Sequence, residues 1–311
     1  MFNPRDIIEI LAHNVKQTKS PFGIPKFMAN KWYKKIGLPD QGEYLLFTGL
    51  MYQFTPFIEK STQYLEKYEG SKMAGFLKYV TLLPAYLLGL VLAIITMVTK
   101  RKERQHAGQT LINITSLLRK SKVDFGYRPD LDDYSGILLY DMGDQEGFIA
   151  HAKKIAQQLQ QAGIKKIITL DPHTAYALKE LYPKYTGISF EVKQYFELLN
   201  LEPKNCGLEV TLHDPCFFGR YLQLSDMPRK TLSNMGISVT NIRNQGEFTS
   251  CCGGPAESVS PKLSNEIMEK RVEELKKTGK PIIAYCPICL GNLKKSGANV
   301  EDLSTLLSRH A

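Results

Sequence analysis

Six cysteines occur in 311 residues, and five of them stand in loops that follow short apolar runs. GLEVTL (207–212) alternates as a strand does, and Cys216 comes just after it in HDPCFFGR. SVTNI (238–242) is a second strand candidate and leads toward SCCGGPAE (250–257), with Cys251 and Cys252 adjacent. PIIAY (281–285) is a third, and CPIC (286–289) follows it directly. CPICLGNL reads as a turn entering a helix, whose free N–H groups favour thiolate over thiol. All five cysteines then fall at one edge of a sheet, where α/β folds build their sites. Gly253 and Gly254 would let the backbone pass close to a bulky inorganic group. Buried reduced cysteines are the plain alternative, but core thiols have no reason to gather in loops. Tetrahedral zinc and an ordinary cubane cluster each take four ligands, so five thiols point to a less usual group.

HDPC, CCGG and CPIC in this order resemble the cysteine-rich "CCG" domain of the heterodisulfide reductase B-type subunit and its relatives, over roughly residues 200–311. The resemblance implies a noncubane [4Fe-4S] cluster ligated by Cys216, Cys251, Cys252, Cys286 and Cys289, with Gly253 beside it. Zinc is the alternative metal. His213 and Asp214 precede Cys216 and are candidates to donate hydrogen bonds to cluster sulfur or to move a proton beside it; a capped turn explains them equally.

The family carries two such domains, and the first part of the chain reads as a repeat without its cysteines. EYLLFTGLMYQ (43–53) parallels LEVTLHDPCFF, with Leu50 or Met51 at the cysteine position. ILLYDMGD (137–144), read as strand and loop, offers Gly143 as the glycine of CCG, with Asp141 and Met142 for the pair. KKIITLDPHTAYAL (165–178) parallels KPIIAYCPICLGNL, with Asp171 and Thr174 at the CPIC cysteines. No thiolate remains here, so this half is expected to complete the fold and shape a cleft. Asp171 and His173 suit proton transfer or a hard metal, or a helix cap. The expected fold class is α/β: two pseudo-repeated CCG-type half-domains with short parallel sheets, the first degenerate and carrying a hydrophobic helical insertion. The expected divisions are a helical extension (1–40), a degenerate domain (41–200, insertion about 70–105) and the cluster-binding domain (201–311).

The insertion contains YVTLLPAYLLGLVLAIITMV (79–98), uncharged and long enough to span a bilayer, followed by KRKER (100–104). A single crossing would place strands of one half on opposite sides of the membrane. Three arrangements are left: a monotopic hairpin bent near Pro84 or Gly89, a helix lying flat although the run has little amphipathic character, or burial against a partner subunit. Attachment to the inner face of the cytoplasmic membrane is expected, with Trp32 and Tyr33 in NKWYKK as a further interfacial anchor.

No export signal is visible at the start, where Asn3 and Pro4 open a helix with Ile7, Ile8, Ile10, Leu11 and Val15 on one face. A reducing cytoplasm is therefore expected, where clustered cysteines suggest metal or redox chemistry before disulfides. The charge, 40 Lys and Arg against 31 Asp and Glu, is interleaved without a compact stripe, and nucleic acid is not expected as a partner. Cys206 stands apart, as an ordinary thiol or a resolving one.

The resemblance implies a subunit of a heterodisulfide reductase-like complex, an oxidoreductase acting on sulfur groups. Its partners would be a flavin subunit and a ferredoxin-like subunit, since no dinucleotide fingerprint or ferredoxin-type cysteine run is present. Its substrate would be a thiol, disulfide or persulfide, free or lipoate-bound. The alternatives are an electron-transfer or membrane-anchoring subunit of a flavin dehydrogenase, for which the apolar insertion suits delivery to quinone, and a zinc-stabilised scaffold.

Overall fold

The computed structural model describes residues 2–311 and contains two four-stranded sheets, both all-parallel. The first comprises β1 (Tyr44–Phe47), β2 (Phe125–Gly126), β3 (Lys166–Thr169) and β4 (Glu191–Gln194), in the order β2-β1-β3-β4. The second comprises β5 (Leu208–His213), β6 (Ile237–Val239), β7 (Ile282–Ala284) and β8 (Val300–Asp302), in the order β6-β5-β7-β8. The two orders are the same, so the repeat read from the sequence is a repeat of topology.

Register makes the correspondence specific. Phe47 pairs with Thr169 in the first sheet and His213 with Ala284 in the second. Counting forward, Leu50 answers to Cys216, Asp171 to Cys286 and Thr174 to Cys289. The CCG pair corresponds elsewhere than the sequence suggested. Residues 137–141 are helical rather than strand and loop, and Gly143, although at φ 93°, has open space where a side chain would go. The counterpart of Gly253 (φ 85°) is Gly136 (φ 86°): each is left-handed, each opens a short helix, and each lies against the long helix that follows. Tyr134 and Ser135 therefore stand where Cys251 and Cys252 do. A second contact agrees: the Asp132 carboxylate accepts from the Thr48 hydroxyl at 2.7 Å, and the Thr249 hydroxyl donates to the Asp214 carbonyl, also at 2.7 Å.

Eight helices bear on the site: α1 (Pro4–Thr18), α2 (Met51–Tyr68), α3 (Ala85–Thr99), α4 (Arg101–Lys120), α5 (Gln145–Gln161), α6 (Pro172–Tyr176), α7 (Pro261–Lys276) and α8 (Pro287–Lys295). The Asn3 side chain caps α1, which buries Ile7, Leu11 and Val15. The core is shared between the halves, since Leu46, Tyr52 and Leu111 pack in one cluster with Leu212, Phe218, Ile283 and Leu303. Trp32 lies in this cluster against Tyr127, ring centroids 5.1 Å apart, and is 7% exposed, which removes it as an interfacial anchor.

The insertion falls between β1 and β2. Among the described residues no helix is long and apolar enough to cross a membrane. At 1.5 Å per residue α3 is about 22 Å long, against about 30 Å of bilayer hydrocarbon. The chain bends at Pro84, which is extended, and again at Lys100. Although nearly every residue of α3 is apolar, its faces differ in size. Ala85, Gly89, Ala93 and Thr96 face the body, and a Cβ on Gly89 would lie 2.0 Å from the Gly23 carbonyl oxygen. Tyr86, Leu87, Leu90, Val91, Ile94 and Val98 are exposed. Gln17 accepts from the Ala85 N–H at 2.9 Å, and Lys100 pairs with Glu59 at 2.5 Å, so both ends are tied down.

Candidate metal centre

Parallel strands put the loops after β5, after β6 and after β7 at one edge of the second sheet, and the five cysteines come from those loops. Their thiols touch in series: Cys216 with Cys251, Cys251 with Cys252, Cys252 with Cys289, and Cys289 with Cys286. Cys252, Cys286 and Cys289 are buried, and Cys216 and Cys251 are half-buried. None is in a disulfide.

Buried thiols this close compete for ionisation, and their titration belongs to the group. Hydrogen bonds from Cys216 and Cys252 hold Cys251 down. Burial opposes ionisation of Cys286, but the Cys289 thiol and the nearby His173 outweigh it. The same contacts, with burial, push Cys216, Cys252 and Cys289 up. Five soft donors in one place need more positive charge than the side chains supply, and a thiolate-ligated metal group provides it. Five exceeds the four of tetrahedral zinc or a single cubane. The donor set therefore fits an iron–sulfur group.

The loops are held by the protein itself. A Cβ on Gly253 would lie 2.4 Å from the Ser264 carbonyl oxygen of α7, and one on Gly254 would lie 2.4 Å from Ile288 Cγ2. The glycines thus answer first to neighbouring protein atoms, not to an inorganic group. Asn292 of α8 donates to the Cys252 carbonyl at 2.5 Å, and the Ser264 hydroxyl donates to the Gly253 carbonyl at 2.9 Å.

Asp214 is fully buried and engaged. Arg229 donates to both carboxylate oxygens at 2.7 Å, the Gly246 N–H donates at 2.7 Å, and the Tyr285 hydroxyl donates at 2.5 Å. Burial would raise its pKa, but Arg229 and these donors hold it below the usual carboxylate range. It braces the loop leading to Cys251, and no acceptor site is left over for proton transfer.

His213 Nδ1 accepts a hydrogen bond from Arg271 Nε at 3.1 Å, so in the neutral ring the proton is on Nε2. Nε2 is buried without a hydrogen-bond partner among the described residues, and a nitrogen of the ring lies within 4.8 Å of the Cys252 and Cys289 sulfurs. Burial, with Arg271 beside it, pushes its pKa down to about 3. A ring in that state offers an N–H to sulfur, neither a lone pair to a metal nor a proton to exchange near neutral pH. Arg271 is fully buried and also donates to Glu274 and to the Thr249 hydroxyl.

The first half reaches the centre through His173, whose ring lies beside Cys286 and 3.7 Å from Asp171 Oδ1. Burial opposes its protonation, but Cys286 and Asp171 raise its pKa to about 9. Asp171 Oδ1 caps α6, accepting from the His173 and Thr174 N–H groups at 3.0 Å. Cys206 precedes β5 and so lies at the opposite edge of the sheet, about 20 Å along the strand at 3.3 Å per residue.

Arg271 was missed in the sequence, although a signal existed. It shares the buried face of α7 with Met268, Val272 and Leu275, and an arginine on an apolar face needs a buried partner. The contact of His173 with Cys286 depends on how the halves pack, which spacing does not encode.

A parallel four-stranded sheet with five thiols at its carboxyl edge defines a cysteine-rich domain. Residues 210–294 match the family model of the cysteine-rich CCG domain, and this part of the chain is such a domain. The chain is similar to relatives named as oxidoreductases or as a ferredoxin. The chain is 30% identical over 204 residues to the EtfAB:quinone oxidoreductase of Syntrophomonas wolfei, covering 60% of this chain and 28% of that protein. It is 28% identical over 203 residues to a probable membrane-anchored ferredoxin of Chromohalobacter salexigens, covering 60% and 30%. It is 29% identical over 177 residues to the D-type subunit of the dihydromethanophenazine:CoB–CoM heterodisulfide reductase of Methanosarcina barkeri, covering 50% and 43%. The matched region is thus less than half the length of each relative.

Proposed function

We propose that Cys216, Cys251, Cys252, Cys286 and Cys289 hold a noncubane [4Fe-4S] cluster, and that the chain is the iron–sulfur electron-transfer subunit of an oxidoreductase complex. The observation that carries this reading is the unbroken series of five thiols with the buried His213 ring beside it. When bound, the cluster supplies one-electron steps. Around it, Arg271 fixes the His213 tautomer, Asp214 braces the loop of Cys251, and the apolar wall of Ile288 excludes water. Electrons pass to and from flavin-containing and ferredoxin-like partners, since this chain has no cofactor motif of its own for them. The exposed face of α3, with Arg101 and Lys102 at its end, attaches the subunit to the cytoplasmic membrane surface without crossing it. The relative named as membrane-anchored supports that placement.

A second reading, sulfur redox on a thiol, disulfide or persulfide, is favoured by an open groove of about 790 Å³ that reaches Cys251. Arg243, Lys270 and Lys277 line it and suit a substrate carrying negative charge. Paramagnetic resonance of the oxidised protein separates the readings. A signal that changes on adding an anionic thiol supports sulfur chemistry; one indifferent to thiols supports electron transfer alone. Zinc without sulfide would leave a scaffold and sink both.

A further inference from the structure

An apolar cavity of about 360 Å³ lies between the insertion and the metal centre. Leu11 of α1, Phe54 of α2, and Leu88 and Leu92 of α3 form its walls, and His173 and Ile288 close its inner end. Ile288 stands between Cys286 and Cys289, so the inner wall of the cavity is also the wall of the thiol cluster. Leu88 and Leu92, one turn apart, lie between the body-facing stripe of α3 and its exposed face. The outer end therefore abuts the apolar surface of the insertion.

The inner end is not inert. His173 is 7% exposed, and its Nδ1 is shut from the cavity beside Asp171 Oδ1, 3.7 Å away, so the ring meets the cavity with its remaining edge. The carboxyl groups of Asp141 and Glu257 also line the cavity, Glu257 being paired with Lys295. Asp141 and Asp171, the latter 3.7 Å from the ring, already offset any charge on His173, so an anionic head such as that of a fatty acid gains little there. A neutral carbonyl is the acceptor that best suits a donating ring N–H in an apolar pocket. The volume lies within the range of small-molecule sites, about 300–1,000 Å³.

We propose that this cavity binds a lipophilic quinone, with a ring carbonyl accepting a hydrogen bond from His173 and the tail leaving past Leu88 and Leu92 toward the exposed face of α3. The choice of a redox ligand over an inert lipid rests on the electron-transfer reading above. The cavity reaches the part of the first half that corresponds to the thiol site, since Tyr134, which answers to Cys251, and His173, next to Thr174, which answers to Cys289, also line it.

The test is equilibrium dialysis of the full chain against decylubiquinone, on protein with its metal and on protein stripped by a chelator. Saturable one-to-one binding is expected in both. Leu92→Trp, which fills the cavity, should weaken it at least tenfold. Ile58→Trp fills it from α2 and serves if the first variant does not fold. His173→Phe keeps the ring and removes the N–H, and should weaken binding severalfold without altering the affinity for decane-chain alcohols. No saturable binding, binding undiminished by both filling variants, or displacement by decanoic acid at equal concentration would overturn the proposal. A chain that carries iron and sulfide but binds no quinone refutes the cavity assignment alone. One that binds quinone but never takes up iron refutes the electron-transfer reading instead.

Discussion

The single residues around the thiols act through charge state and backbone shape. His213 has a pKa near 3 in the folded chain, against about 6.5 for a free histidine. The unfolded chain therefore takes up the proton first. The stability His213 allows is fully present above about pH 6.5 and is lost as pH falls toward 3, at up to about 1.4 kcal/mol per pH unit. Urea unfolding of metal-stripped protein at pH 7.5 and pH 5 should show this loss, and His213→Gln should flatten it; an unchanged slope would mean the histidine is not buried neutral. Gly253→Ala combines a left-handed backbone with a Cβ 2.4 Å from the Ser264 carbonyl oxygen. A loss of about 2–3 kcal/mol is expected, whereas Gly279→Ala, left-handed but in open space, should cost about 1 kcal/mol. Paired thermal melts would check this. At this scale the sequence exposed the cysteines, because a soft donor in a loop has few other uses. It hid Arg271 and the Cys286 contact of His173, whose roles come from elements distant in the chain.

Among the elements, the insertion departs most from its sequence reading. Its apolar run looked featureless by polarity, yet α3 sorts its residues by size, small ones toward the body and large ones outward. Hydropathy carries no record of that distinction, whereas Gly89 one turn after Ala85 and one before Ala93 does. Two substitutions follow from the two faces. Gly89→Leu should cost about 1–3 kcal/mol or more by forcing α3 off the Gly23 backbone, seen as a lower melting temperature. Val91→Glu with Ile94→Glu should leave the melting temperature unchanged and reduce co-flotation with phosphatidylglycerol vesicles at least tenfold. Flotation that survives the double variant would mean the outward face binds a protein subunit. The strands before the cysteines were legible from alternation, as GLEVTL and PIIAY became β5 and β7. Of the outer strands β6 was read from SVTNI, one residue late, whereas β2, β4 and β8 were not, since two to four residues at a sheet edge leave little period to count.

For the whole molecule, the two halves share a core and a topology but not a chemistry. The Tyr52 hydroxyl of α2 donates to Asp302 of β8 at 2.9 Å, both groups buried, and joins the first half to the second. One calorimetric transition is therefore expected for both halves, and two separate transitions would show independent domains. The degenerate half was legible as a repeat because its strands and the Asp171–Pro172 turn persist. Its CCG counterpart was misplaced onto 141–143 because a glycine after two residues is a weak signal without strand register. Register moves the pair to Tyr134 and Ser135, beside the cavity.

The central claim is that five thiolates, not four, hold one iron–sulfur group. The most direct measurement is iron, acid-labile sulfide and zinc per chain in anaerobically purified wild type, Cys252→Ser and Cys206→Ser. About four irons and four sulfides are expected in the wild type and in Cys206→Ser, with clearly less in Cys252→Ser. One zinc without sulfide, or full iron content in Cys252→Ser, would contradict the account.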